Sequence, residues 1–301
     1  MSLHLQNNWQ LPSTGQWLYE RFLEILIYPS IWVSAAIASL VFFTQHTLLL
    51  PTWWQPIALI FAIALLPYNL DRIFDSYFQK IPDKKVQSYF RSQGILLLLL
   101  VAGLATGIIL YFAPLKVRIV SCGGLVPLLY GIPLLPIEQG KQIRWYRIKD
   151  IPGAKAWIVC GIITYAVVAV PLAYADAAFD QAAALTTLFL LVFIGSNSHM
   201  FDVRDVDSDQ EKGVLTMPLI VGVRGTRIIW SILNLVMLLL NFWGWIAGLL
   251  VPAPFVVVPA TLVTLLYVWT LDTKTPRNVY NIWIDGYLFL PALLTWVANA
   301  I

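Results

Sequence analysis

Asp202, Asp205, Asp207, Asp209 and Glu211 fall within FDVRDVDSDQEKGVLTMP, residues 201–218, in a chain with only 16 Asp and Glu among 301 residues. Asp202, Asp205 and Asp209 are spaced i, i+3, i+7, which places them on one face of a helix. Like charges stacked in this way repel, so the face needs a counter-charge. Asp71 and Asp75, in PYNLDRIFDSYF, are spaced i, i+4 and make a second one-faced pair. Two such clusters facing each other form a cage of oxygen ligands. Mg²⁺ takes a few carboxylates of this kind together with substrate phosphates. Basic residues are interleaved: Arg72 beside the first pair, Arg204 inside the second, and Lys84, Lys85, Arg147, Lys149 and Lys155 between them. Carboxylates, Mg²⁺ and Arg/Lys together clamp a diphosphate. The metal also lowers the cost of a diphosphate leaving group by neutralising its developing charge.

Two plainer readings compete. A single carboxylate cluster at a helix end is most often a solvated face. Two matched clusters weaken that reading, because ionisable residues near the membrane interior are functional by default. Asp205-Val-Asp207-Ser-Asp209 also resembles the start of an EF-hand loop. That loop needs Gly at its sixth position and Glu at its twelfth, and here those are Gln210 and Thr216.

The elements that must hold these residues are membrane helices. The chain is 59% hydrophobic and 12% charged, whereas soluble domains carry about 25% charged residues. The apolar residues fall in runs of bilayer length. Nine spans are expected, near 23–44, 53–70, 94–112, 117–135, 155–173, 183–202, 224–243, 253–271 and 282–300. Backbone polar groups in lipid must be satisfied internally, so these read as helices and the fold class is an all-α membrane bundle. Residues 1–22 read as an N-terminal interfacial segment, with no cleavable signal peptide. Residues 23–301 read as one nine-helix domain.

With nine spans, 17 of the 19 Lys and Arg lie on the side of the N-terminus. Lys116 and Arg118 alone lie opposite. The positive-inside rule then predicts a multi-pass protein with its N-terminus inside. Both carboxylate clusters fall on that inner side, so chemistry is expected at the cytoplasmic face. Cys122 and Cys160 sit in apolar runs without ligand spacing and read as packing residues.

The motifs resemble those of the UbiA superfamily of intramembrane prenyltransferases. The second cluster reads Asp202-x-x-Asp205-x-x-x-Asp209-x-x-x-Gly213-x-x-Thr216-Met-Pro218, similar to the family's Asp-rich motif after helix 6. Asp71-Arg-Ile-Phe-Asp75 is similar to the second half of the family's Asn-x-x-x-Asp-x-x-x-Asp motif. The position four before Asp71 is Pro67 rather than Asn, and the nearest asparagine is Asn69. A divergent member is therefore expected. The resemblance implies one Mg²⁺ on Asp71 and Asp75, with Asn69 as a further ligand, and another on Asp202, Asp205 and Asp209. It implies diphosphate contacts from Arg72, Lys149 and Arg204, with Tyr130 and Lys149 approximating a family Tyr and Lys.

The implied activity is transfer of an isoprenyl group from its diphosphate to a lipophilic acceptor, aromatic or quinone-precursor, with membrane lipid around the protein and no nucleic-acid partner. Two alternatives stay open: a terpene cyclase of the same fold without an acceptor, and a non-enzymatic carrier or assembly factor that keeps the cation site. His199, one turn before Asp202, reads either as an acceptor-binding or proton-accepting group or as a polar helix contact. Asp285, an acid within the last span, is expected to face the cavity or pair with an Arg. Most of the Trp and Tyr residues read as interfacial belts.

Overall fold

The computed structural model describes residues 14–78, 84–90, 92–129, 133–139, 142–147, 151, 153–211, 213–250 and 253–300. Tyr130, Lys149 and residues 1–13 of the expected interfacial segment lie outside them. Among the described residues six helices are long and apolar enough to cross a bilayer: Trp54–Ile73, Gln93–Phe112, Lys155–Tyr174, Gln181–Arg204, Met217–Ile246 and Arg277–Ala300. A seventh passage pairs Thr14–Ile27 with Ile31–Thr47 across a 60° bend, and Pro254–Thr270 is a shorter apolar helix.

In chain order the helices are α1 Thr14–Phe22, α2 Ile31–Thr47, α3 Trp54–Phe78, α4 Lys84–Phe90, α5 Gln93–Phe112, α6 Leu115–Ser121 and α7 Leu125–Leu129. A two-stranded antiparallel hairpin, β1 Pro133–Gln139 with β2 Gln142–Arg147, separates these from the rest. Then follow α8 Lys155–Tyr174, α9 Gln181–Arg204, α10 Val206–Glu211, α11 Met217–Ile246, α12 Ala253–Thr270, α13 Arg277–Val279, α14 Asp285–Tyr287 and α15 Leu290–Ala300. The membrane body is helical, as expected.

Residues 117–135 differ from the single span expected there. α6 passes through a 3₁₀ turn at Cys122–Gly124 into the short α7, and strand β1 starts at Pro133. Gly123 and Gly124 weaken the helix, and Pro127 and Pro133 remove backbone donors. Gly123 is also needed for packing. A Cβ there would stand 2.5 Å from Cε1 of Tyr165, whose hydroxyl donates to the Val120 carbonyl at 2.9 Å.

α9 is the central helix. Of its span 61% is buried, against 11% for α5. It packs on α8 and α11, and Asp180 caps its start by accepting from the Ala183 N–H at 2.8 Å. α5 has the opposite character. Leu96, Leu100, Leu104 and Ile108 recur every fourth residue and are all exposed. An exposed leucine stripe along a helix of this length fits acyl chains rather than water.

Two breaks in the helices shape the polar end. At the first bend Ser30 takes a left-handed φ of 57° after a π-turn over Leu23–Ile27. The carbonyls of Ile27, Tyr28 and Pro29 are thereby available to side chains. The second is a π-turn over Tyr280–Ile284 in the last passage. There the Ile282 carbonyl accepts from Trp32 Nε1 at 2.9 Å, and the Ile284 carbonyl from Asn197 Nδ2 at 2.6 Å. Turns of this type frequently mark functional sites in helices. This one delivers Asp285.

Candidate functional site

α9 carries Asp202 in its last turn and is followed by the one-and-a-half-turn α10. α10 ends in a Schellman motif. Gly213, at φ +70°, donates to the Gln210 carbonyl at 3.1 Å, and the Val214 N–H donates to the Asp209 carbonyl at 2.9 Å. The glycine four residues past Asp209 thus ends the helix one turn beyond that acid and fixes where the acid sits.

Asp202 and Asp209 are 3% and 4% exposed, and both face the ammonium of Lys155, the first residue of α8. Lys155 Nζ lies 3.2 and 3.0 Å from the two Asp209 oxygens and 3.5 Å from Asp202 Oδ1. Asp205 is held separately. Arg204 forks onto it, with Nε to Oδ1 at 2.8 Å and Nη2 to Oδ2 at 2.7 Å. Burial acts to raise the Asp205 carboxyl, but the Arg204 hydrogen bonds and the charges of Arg204, Lys155 and Arg277 outweigh it and hold it below its ordinary value. Asp205 is therefore an anion. The Arg204 guanidinium also lies over the rings of Phe201 and Tyr280, at 4.7 and 5.6 Å.

α3 reaches the same end. Arg72 Nη1 donates to the carbonyls of Ile27 at 3.0 Å and Tyr28 at 3.3 Å. Asn69 Nδ2 donates to Pro29 at 2.9 Å and to Leu65 at 2.8 Å. These two side chains close the gap opened by the bend. Arg72 also lies in the field of Asp285, Arg204 and Asp71, and Asp285 in the fields of Arg72 and Arg204. α3, α9 and the last passage therefore meet at one polar centre. Asp71 is partly exposed on α3, and Asp75 follows one turn later on the same helix. The side chain of Asp75 lies outside the described residues.

His199 is fully buried one turn before Asp202. Its Nδ1 donates to the Gly195 carbonyl at 2.8 Å, which leaves Nε2 as an acceptor with no partner among the described residues. The rings of Trp157 and Trp230 flank it at 5.0 and 4.5 Å. Gly195 allows this close ring packing, because a Cβ there would lie 2.5 Å from Trp230.

Among the described residues no three His, Cys, Asp or Glu side chains converge as a metal cluster. Asp202 and Asp209 nevertheless converge on one ammonium, whose nitrogen occupies a position where two carboxylates already meet a cation. A hard, oxygen-ligated ion suits that donor pair. The spacing in the sequence marks both acids. It does not mark Lys155 over the neighbouring bases, because that choice depends on where the start of α8 lands.

The fold is that of UbiA homologues of known structure. A UbiA homologue from Archaeoglobus fulgidus, in its complex with GPP and Mg²⁺, superposes with a TM-score of 0.64 over 93% of this chain and 100% of its own, at 10% identity. The apo homologue from Aeropyrum pernix K1 gives 0.61 over 92% and 100%, also at 10% identity. A digeranylgeranylglyceryl phosphate synthase gives 0.55 over 93% and 97%, at 13% identity. No family model and no curated protein matches the sequence. At these identities the likeness establishes the architecture.

Proposed function

We propose that the protein is a Mg²⁺-dependent intramembrane prenyltransferase, moving an isoprenyl group from its diphosphate to a lipophilic acceptor and releasing diphosphate. The observation that carries this reading is the meeting of Asp202 and Asp209 on the Lys155 ammonium at the end of the central helix, with the Arg204–Asp205 pair at the same helix end. The fold supports it, since the Archaeoglobus homologue has been solved with GPP and Mg²⁺ and with DMAPP and Mg²⁺.

In this reading Asp202, Asp205 and Asp209 hold one metal ion, and Asp71 with Asp75, and Asn69 beside them, the other. Bound there, Mg²⁺ supplies charge neutralisation for the leaving diphosphate. The chain's own residues do the rest. Arg72, Arg204 and Lys149 bind phosphate oxygens, Tyr130 helps position them, and the apolar helices keep water from the allylic carbon. As the C1–O bond breaks, its electron pair leaves with the diphosphate. The acceptor then bonds to C1 and loses a proton. His199 Nε2, buried and without a partner among the described residues, is the group proposed to meet the acceptor's polar end. An aromatic or quinone-precursor acceptor is proposed.

The distribution of basic residues supports a cytoplasmic location for the site. A cysteine at position 176 should then label from outside intact cells, and one at 275 only after permeabilisation; the reverse would invert the orientation. Catalysis is tested by incubating the purified protein with geranylgeranyl diphosphate, Mg²⁺ and a membrane lipid extract. Diphosphate release that falls by ~10²-fold or more in Asp71→Ala is expected. Release without any acceptor, giving a cyclic hydrocarbon, would replace transfer with cyclisation. Equal release by Asp71→Ala would remove that acid from the site.

A further inference from the structure

The acids of the second cluster are fixed and the base between them is not. Asp202 and Asp209 have side chains 4% and 6% exposed, while that of Lys155 is 28% exposed. Asp202 is locked into the last turn of the most buried long helix, and Asp209 into the capped α10. Lys155 reaches them on a flexible four-carbon stem from the first residue of α8. One ammonium between two carboxylates leaves a net charge of −1, one positive charge short of neutral, so the seat still attracts cations. A divalent ion entering beside the ammonium would meet its repulsion at close range. The ammonium, on a side chain 28% exposed, can turn toward oxygens that arrive at the site, whereas Asp205 already accepts two hydrogen bonds from the Arg204 fork.

We propose that Lys155 is a tethered stand-in for the metal ion, holding the seat between Asp202 and Asp209 until an incoming diphosphate draws the ammonium onto its own oxygens. The inference rests on the diphosphate reading above and deepens it. Metal and diphosphate enter together. Neither is retained well alone, and Lys155 passes from the protein's carboxylates to the substrate's phosphates as the ion takes its place. Lys155 is thus a positioning residue in the resting protein and a phosphate ligand in the loaded one.

The test needs no turnover and no isoprenoid. Mn²⁺ binding to the full-length protein in detergent is followed by the loss of the free-ion paramagnetic resonance signal. Wild type, Lys155→Arg, Lys155→Gln, Asp209→Asn and the double variant Lys155→Gln/Asp209→Asn are compared, with and without inorganic pyrophosphate, against protein-free mixtures. Without pyrophosphate, Lys155→Gln is expected to bind Mn²⁺ ~tenfold or more tightly than wild type, because a competing unit charge is gone. Lys155→Arg should stay weak, and the double variant should lose the gain. Pyrophosphate should tighten Mn²⁺ binding in wild type and have little effect in Lys155→Gln. Tight Mn²⁺ binding by wild type without pyrophosphate that Asp209→Asn weakens would overturn the proposal. So would no gain in Lys155→Gln, or a gain that survives Asp209→Asn. The transferase reading fails on a different measurement, the conversion of geranylgeranyl diphosphate, so the two failures are distinguishable.

Discussion

Asp285 is the residue on which three parts of the chain depend. It is 8% exposed and lies in the fields of Arg72 from α3 and Arg204 from α9. Each guanidinium has other partners: Arg72 the carbonyls of the first bend, Arg204 the carboxylate of Asp205. The two would repel across the centre without the acid between them. Asp285→Asn removes that compensating charge and should lower the melting temperature in detergent, and Asp285→Glu much less. Asp176→Asn is the control. Its ion pair with Lys116 is more than two-thirds exposed on both sides, and such pairs contribute little. This centre was partly legible in the sequence, since an acid in an apolar span must find a counter-charge. Which Arg it would find was not, because 213 residues separate Asp285 from Arg72. Lys155 was less legible still. In the sequence it is one base among several, and its distinction arises from the packing of α8 on α9.

At the scale of elements, the acids are positioned by how helices end. The left-handed Gly213 closes α10 just past Asp209. An alanine there costs about 1–2 kcal/mol and loosens the turn that carries the acid. Gly213→Ala should lower the melting temperature modestly and weaken metal-dependent diphosphate binding. Gly107→Ala, on the lipid-facing α5 with open space around its Cβ position, should leave binding unchanged. The long helices were legible because an apolar run of bilayer length has few other solutions: 94–112 and 155–173 match Gln93–Phe112 and Lys155–Tyr174 within a residue. Residues 117–135 were apolar enough to suggest a span, yet the helix tightens into a 3₁₀ turn at Cys122–Gly124 and strand β1 starts at Pro133. Hydropathy does not register a missing N–H or a ring from α8 seated on Gly123. Pro29 marks a break inside the expected span 23–44, but not the left-handed Ser30 and the 60° turn that follow it, nor that Asn69 and Arg72 hold its carbonyls.

Across the whole molecule, apolar surface faces outward along α5 while polar groups gather at one end of α3, α9 and the last passage. That division is the physical basis of the proposed activity, with a hydrocarbon chain among apolar helices and its diphosphate at the charged end. The most direct test is binding of geranylgeranyl diphosphate to the purified protein in detergent, with and without Mg²⁺, in wild type and Asp205→Ala. Binding that requires Mg²⁺ and weakens by ~tenfold or more in Asp205→Ala is the predicted result. Binding indifferent to Mg²⁺, or unchanged in Asp205→Ala, would contradict the account and bring the carrier reading forward.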